Sequence, residues 1–245
     1  MKMSFFKLIS FTLMLLLPAL ASAAKPYVDH GSFMTKEQEV NSYHLLPPPP
    51  DYKSVIFLND ESSYRYGRSL INTPRWQQAK DDADLSDDGI GSQFSSVAGL
   101  EISSENTPKL YHFLLKIRKD NDNSINYAKK YYMRVRPFLV FDNQTCAPDD
   151  EPFLRHSGSY PSGHATSGWE FALILAEMIP EKSDQILKRG YEYGQSRVIC
   201  GAHWQSDVDA GRIMGAAILS RLKADKEFNV EFEQVKKEVR DKLKK

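Results

Sequence analysis

Long apolar runs are scarce in this chain. Beyond its first two dozen residues none approaches the about 20 residues that a membrane span needs. The best downstream candidates are Phe171–Ala176, stopped by Glu177, and Ile213–Leu219. An excess of one charge is also missing. The 32 Lys and Arg are matched by 32 Asp and Glu, which excludes a bulk polycation built to coat nucleic acid. Cysteine is limited to Cys146 and Cys200, leaving room for one bridge and excluding a disulfide-dense scaffold. None of the histidines, His30, His44, His112, His156, His164 and His203, falls in an H-E-x-x-H or similar metal-ligand spacing. Strand signals are few: Val55–Leu58 and Phe138–Phe141 are short apolar runs that read as minor strands or core linkers. No internal repeat occurs.

What is present is an ordinary soluble composition, 41% apolar and 26% charged over 245 residues. Such a chain buries a core without staples, and its length favours one domain over two. Residues 1–23 stand apart. Lys2 and Lys7 precede an apolar stretch from Leu8 to Leu17, then Pro18 and the small triplet Ala21-Ser22-Ala23. That is the order of a secretory signal peptide, cut after Ala23; an uncut anchor would need a longer run. Cleavage removes two lysines and no acid, leaving residues 24–245 slightly acidic. Export to the periplasm, an oxidising compartment, favours a Cys146–Cys200 bridge over two buried thiols.

From residue 60 onward the periodicity is helical. Thr73-Pro74 and Thr107-Pro108 each read as a cap followed by a first-turn proline. Leu110, Phe113, Leu114 and Ile117 then make a buried stripe. A further helix is expected over Ser124–Val135, with Ile125, Ala128 and Tyr132 on one side. Ala165–Met178 is apolar nearly all round and reads as a buried central helix. Helices follow at Ile186–Ser196, at Asp207–Leu222, where Gly211 and Gly215 permit close helix contact, and at Val230–Lys242. Pro47–Pro50 is an extended polyproline strap on the surface. The fold class is all-α, a single compact helical domain over 24–245.

Three segments concentrate chemistry. In Lys129-Lys130-Tyr131-Tyr132-Met133-Arg134-Val135-Arg136-Pro137, Lys129 and Arg136 are seven apart, so a continuous helix puts both cations on one face. In Gly158-Ser159-Tyr160-Pro161-Ser162-Gly163-His164, a helix start offers unpaired N–H groups. Gly163 admits an anion closely, Ser162 adds a hydroxyl, and His164 stands in the first turn. In Ser196-Arg197-Val198-Ile199-Cys200-Gly201-Ala202-His203-Trp204-Gln205-Ser206-Asp207, Arg197 is a third cation, and Asp207 is four residues from His203. There it can hold one imidazole nitrogen and leave the other nucleophilic. Between these segments, the polar stretch 143–157 reads as a flap over the site or a passive loop.

Together these segments resemble the type-2 phosphatidic acid phosphatase superfamily, whose signature reads here as Lys129-x6-Arg136-Pro137, Pro161-Ser162-Gly163-His164 and Ser196-Arg197-x5-His203-x3-Asp207. Within it the chain resembles the bacterial class A non-specific acid phosphatases. The resemblance implies His203 as nucleophile, Asp207 as its orienting group and His164 as general acid. Lys129, Arg136, Arg197, Ser162 and Gly163 would bind phosphate. It implies no cofactor or metal, vanadate inhibition, and small phosphorylated substrates, both phosphomonoesters and nucleotides, hydrolysed with phosphotransferase side activity. A homo-oligomer is expected, with neither nucleic acid nor membrane as partner after cleavage. Two alternatives share the site: a nucleoside di/triphosphate hydrolase and a vanadate-dependent haloperoxidase. A metallohydrolase and a binding protein that uses the polyproline strap are further rivals.

Overall fold

The computed structural model describes residues 31–244 apart from residues 85, 87, 88 and 90. The expected signal peptide and its expected cut after Ala23 lie outside these residues. In chain order the helices are α1 (Ser42–Leu45), α2 (Val55–Ser69), α3 (Pro74–Asp81), α4 (Ser95–Ala98), α5 (Pro108–Tyr132), α6 (Pro137–Val140), α7 (Glu151–Leu154), α8 (Gly163–Met178), α9 (Ser183–Ile199), α10 (Gln205–Lys223) and α11 (Lys226–Leu243). No strand occurs among the described residues, so the expected all-α class holds.

The apolar α8 is the central helix, packed chiefly between α9 and α10 and also against α5. Ala165, Phe171, Ala172, Ile174, Leu175 and Met178 are buried around its circumference. The glycines of α10 let it approach: a Cβ on Gly211 would lie 2.6 Å from Ser162 O, and one on Gly215 2.5 Å from Thr166 O. On the outer side α11 turns Phe228, Phe232, Val235 and Val239 into the core. It is capped by Asp225, which accepts from Phe228 N at 3.0 Å.

Several expectations need correction. Ser124–Val135 is not a helix of its own, because α5 runs unbroken from Pro108 to Tyr132 and ends with Met133 in the left-handed region, φ 41°. Thr107 does not cap α5 with its side chain. The orphan N–H groups of Lys109 and Leu110 donate instead to the Glu238 carboxylate of α11, at 3.3 and 2.9 Å. Val55–Leu58 is the start of α2, nucleated by Ser54 Oγ accepting from Phe57 N at 3.2 Å. Only Phe57 of that run is buried. Most of Phe138–Phe141 likewise falls in the short helix α6, with Phe141 at its cap. The polyproline strap is anchored on the surface, Tyr160 donating its hydroxyl to Pro47 O at 2.8 Å.

Candidate active site

Four chain segments meet at the N-terminal ends of α8 and α10. The two helix starts are tied together, since Ser162 N donates to Asp207 O at 2.9 Å. Asp207 sits at the third position of α10 and accepts from Trp204 N at 2.8 Å, one half of a capping box. This places His203 just ahead of the helix with its ring buried. The last turn of α9 delivers Arg197, and the end of α5 delivers Lys129. Cys146 and Cys200 are bridged, with Cys146 N donating to Cys200 O at 3.0 Å. The bridge fastens the segment after α6 to the turn that carries His203.

The imidazole of His203 is held from two sides. Its Nδ1 faces Asp207 Oδ2 at 3.4 Å and Ser159 Oγ at 3.3 Å. Arg136 Nη1 lies 3.0 Å from its Nε2. A guanidinium can only donate, so Nε2 carries the lone pair and Nδ1 the proton. Burial first, and Arg136 next, hold the His203 pKa well below its ordinary value. Asp207 is fully buried. Burial pushes its carboxyl up, but Arg134, His203 and Ser159 outweigh burial and keep it below the usual carboxylate range. Arg134 donates to Asp207 Oδ1 at 2.5 Å and to Asp60 Oδ2 at 2.8 Å. Asp60 in turn accepts from Ser206 N at 2.7 Å. Ser159 donates its hydroxyl to Asp207 Oδ2. The carboxylate is thus fixed by a chain of buried groups reaching back to α2.

Lys129, Arg136 and Arg197 make no direct salt bridge among the described residues; carboxylates such as Asp207 and Asp122 act on them only at longer range. Arg197 is 1% exposed, and its Nε and Nη1 have no hydrogen-bond partner among the described residues. Burial lowers its pKa. Arg136 donates to main-chain carbonyls of Leu154, Ser157 and Ala202 at 3.0–3.1 Å. Burial, with Arg197 adding to it, brings its pKa down to about 10. Lys129 Nζ donates to Gly158 O at 2.9 Å, and burial followed by Arg136 brings its pKa to about 7. Gly158 must be glycine there, because a Cβ would lie 2.3 Å from Lys129 O. His164 is stacked near Tyr193, and its Nε2 is 3.3 Å from Ala83 O. A carbonyl only accepts, so Nε2 carries the proton and Nδ1 the lone pair. Burial first and Arg197 second hold its pKa well below the ordinary value.

A cavity of about 300 Å³ is lined by Lys129, Arg136, Gly163, His164 and His203 among others. The predicted site residues Lys129, Arg136, Gly163, His164 and His203 therefore share one cavity, with Asp207 behind His203 and Arg197 close enough to act on the charge of His164 and Arg136. Ser162 is buried at the same helix start, where its hydroxyl accepts from Ala165 N as the cap of α8. The reason expected for Lys129 and Arg136 was mistaken. Arg136 lies beyond the end of α5, and the left-handed Met133 and an extended link carry it into the site. Ser159, Arg134 and Asp60 went unnoticed. Ser159 and Arg134 lie inside the motifs, whereas Asp60 is far away in sequence with no local signal. The segment 143–157 contributes Phe153, Leu154 and Ser157 to the cavity wall. Among the described residues no group of three or more His, Cys, Asp and Glu could hold a metal ion.

Residues 122–229 match the model of the PAP2 superfamily. The chain is 45% identical over 207 residues to a non-specific acid phosphatase of Providencia stuartii, 84% of each chain being covered. It is 44% identical over 211 residues to one of Salmonella typhimurium, covering 86% of this chain and 84% of the relative. A third, from Salmonella typhi, is 42% identical over 231 residues, 94% of this chain and 92% of its own. The helical fold, the signature at the starts of α8 and α10 and these relatives agree: the chain belongs to the PAP2 superfamily. Within that superfamily it is an acid phosphatase of the class A non-specific kind.

Proposed function

We propose that this phosphatase is exported to the periplasm after cleavage behind Ala23, and hydrolyses a broad range of phosphate monoesters through a phosphohistidine at His203. The observation that carries this reading is the buried guanidinium of Arg197, whose Nε and Nη1 lack an acceptor among the described residues and whose charge acts on both His164 and Arg136, while Arg136 faces the Nε2 lone pair of His203. Buried donors without acceptors are costly, and a phosphate dianion supplies both the charge and the oxygens. Arg197, Arg136 and Lys129, with Gly163 N–H and the hydroxyl proton of Ser162, hold the three non-bridging oxygens and offset their charge in the transition state.

Nε2 of His203 attacks phosphorus in line as the bond to the ester oxygen breaks. Nδ1–H stays on Asp207, which stabilises the imidazolium that forms. His164 gives its proton to the leaving oxygen. It starts neutral, and the incoming dianion offsets the repulsion from Arg197, so the proton is taken up with the substrate. Water then attacks phosphorus, the P–N bond breaks, and His164 accepts the proton that water loses. An alcohol in place of water gives phosphotransfer.

Rapid quench at neutral-to-alkaline pH followed by peptide mass spectrometry tests the mechanism. Phosphate on His203 is expected in the parent and absent in His203→Ala, while Asp207→Asn slows its formation. Phosphate on any other residue overturns the assignment. The exposed Val55, Ile56 and Leu58 at the start of α2 support a homo-oligomer. An assay panel with monoesters, nucleoside di- and triphosphates and a diester separates the monoesterase from a nucleotide hydrolase on the same site.

A further inference from the structure

His164 serves the leaving oxygen, but the organic part of the ester still needs a surface to lie against. Arg136, Arg197 and both histidines are buried and Lys129 is half-buried, so phosphate occupies the deep end of the cavity. At about 300 Å³ the cavity is at the small end of small-molecule sites, roughly 300–1,000 Å³. The alcohol or phenol part of an ester therefore projects through the mouth.

Phe153 stands at that mouth. It lines the cavity and is 74% exposed. The turn that carries it is braced on every other side. Glu151 accepts from Thr145 N at 2.7 Å and from Thr145 Oγ1 at 3.1 Å. Arg155 pairs with Glu151 at 3.2 Å and lies 5.4 Å from the ring centre of Phe138. The carbonyls of Leu154 and Ser157 are held by Arg136 Nε. The bridge at Cys146 fixes the approach to this turn. A rigid support thus presents a flat apolar face beside the phosphate seat, and the fold itself makes little use of that face. The polar lining residues Asp122 and Asn126 offer no comparable surface.

We propose that Phe153 is a specificity-determining platform on which the flat ring of an aryl or nucleoside phosphate stacks while its phosphate is transferred to His203. The proposal rests on the reading of the site given above. Stacking on an exposed aromatic corresponds to roughly a 5- to 150-fold effect per ring on alanine substitution, and an open mouth sets the expectation near the lower part of that range.

The test compares kcat/KM of the mature enzyme on phenyl phosphate, a nucleoside 5′-monophosphate and glycerol 2-phosphate. Phe153→Ala is expected to lower the value about tenfold for at least one of the two aromatic esters and less than twofold for glycerol 2-phosphate. Phe153→Trp is expected to restore it. Loss on phenyl phosphate alone identifies an aryl leaving group, and loss on the nucleotide alone a nucleobase. Inhibition by vanadate, which has no leaving group, stays unchanged. No loss, or an equal loss on all three esters in both Phe153→Ala and Phe153→Leu, overturns the platform while leaving the phosphatase site standing. A parent enzyme inactive on every ester overturns the site reading and the platform with it.

Discussion

Lys129 is the residue whose charge is most finely poised. Burial and Arg136 bring it to about 7, so before an anion binds it is protonated below neutrality and increasingly neutral above. Its contribution to phosphate binding is therefore full at acid pH and lost as pH rises through 7. The inhibition constant for orthophosphate is expected to rise with pH above 7 by up to about tenfold per unit. Lys129→Arg, which stays charged, flattens that rise. A competitive-inhibition series from pH 5 to 9 on both proteins measures it. The His203 pKa lies well below and the Asp207 pKa below the ordinary values, which keeps the proposed nucleophile neutral where Lys129 is charged. The residues that do this were largely legible in the sequence, because Pro161–His164 and His203–Asp207 place their functional groups within one turn of a helix start, and Arg197 stands in the last turn of the helix before. Asp60 was not, since its link to Asp207 through Arg134 exists only once α2 has packed against α10.

Between elements, the critical contact is the crossing of α8 and α10. Gly215→Ala would bring a methyl within 2.5 Å of Thr166 O, and the helices can separate only by disturbing the bond from Ser162 N to Asp207 O. Overpacking of this kind costs about 1–3 kcal/mol. The variant is expected to unfold at lower denaturant and to lose kcat more than KM; unchanged kinetics would show that the two helix starts tolerate separation. Gly211 and Gly215 were readable as contact points because a glycine on an apolar helix has little other use there. The start of α2 was not readable, since a four-residue apolar run carries no period. Nor was the cap of α5, because Glu238 belongs to the last helix and meets the N–H groups of Lys109 and Leu110 only in the folded molecule.

At the scale of the whole molecule, two features set stability. The Cys146–Cys200 bridge closes a separation of 54 residues, for which loop-closure entropy suggests on the order of 4 kcal/mol. Reduction, or the Cys146→Ser/Cys200→Ser double variant, is expected to lower both Tm and activity, read by thermal melts beside a turnover assay. Glu170 lies on α8 with both carboxylate oxygens buried and without a well-formed hydrogen bond among the described residues; Asn121 favours its ionised form, but burial outweighs that and raises its pKa well above the ordinary value. The unfolded chain releases that proton above about 4.5 and the folded chain holds it, so this group destabilises the fold increasingly as pH rises from there to its folded pKa. Glu170→Gln is expected to match the parent in Tm near pH 4 and to exceed it toward pH 8. The gap grows by up to about 1.4 kcal/mol per pH unit, and melts across that range decide it. Finally, in the proposed phosphate seat the unpartnered Nε and Nη1 of Arg197 do not distinguish an ester from what remains after the ester is cut. Orthophosphate offers the same charge and the same oxygens, so the end product competes for the seat in which it was made. Turnover therefore slows as free phosphate accumulates around the enzyme.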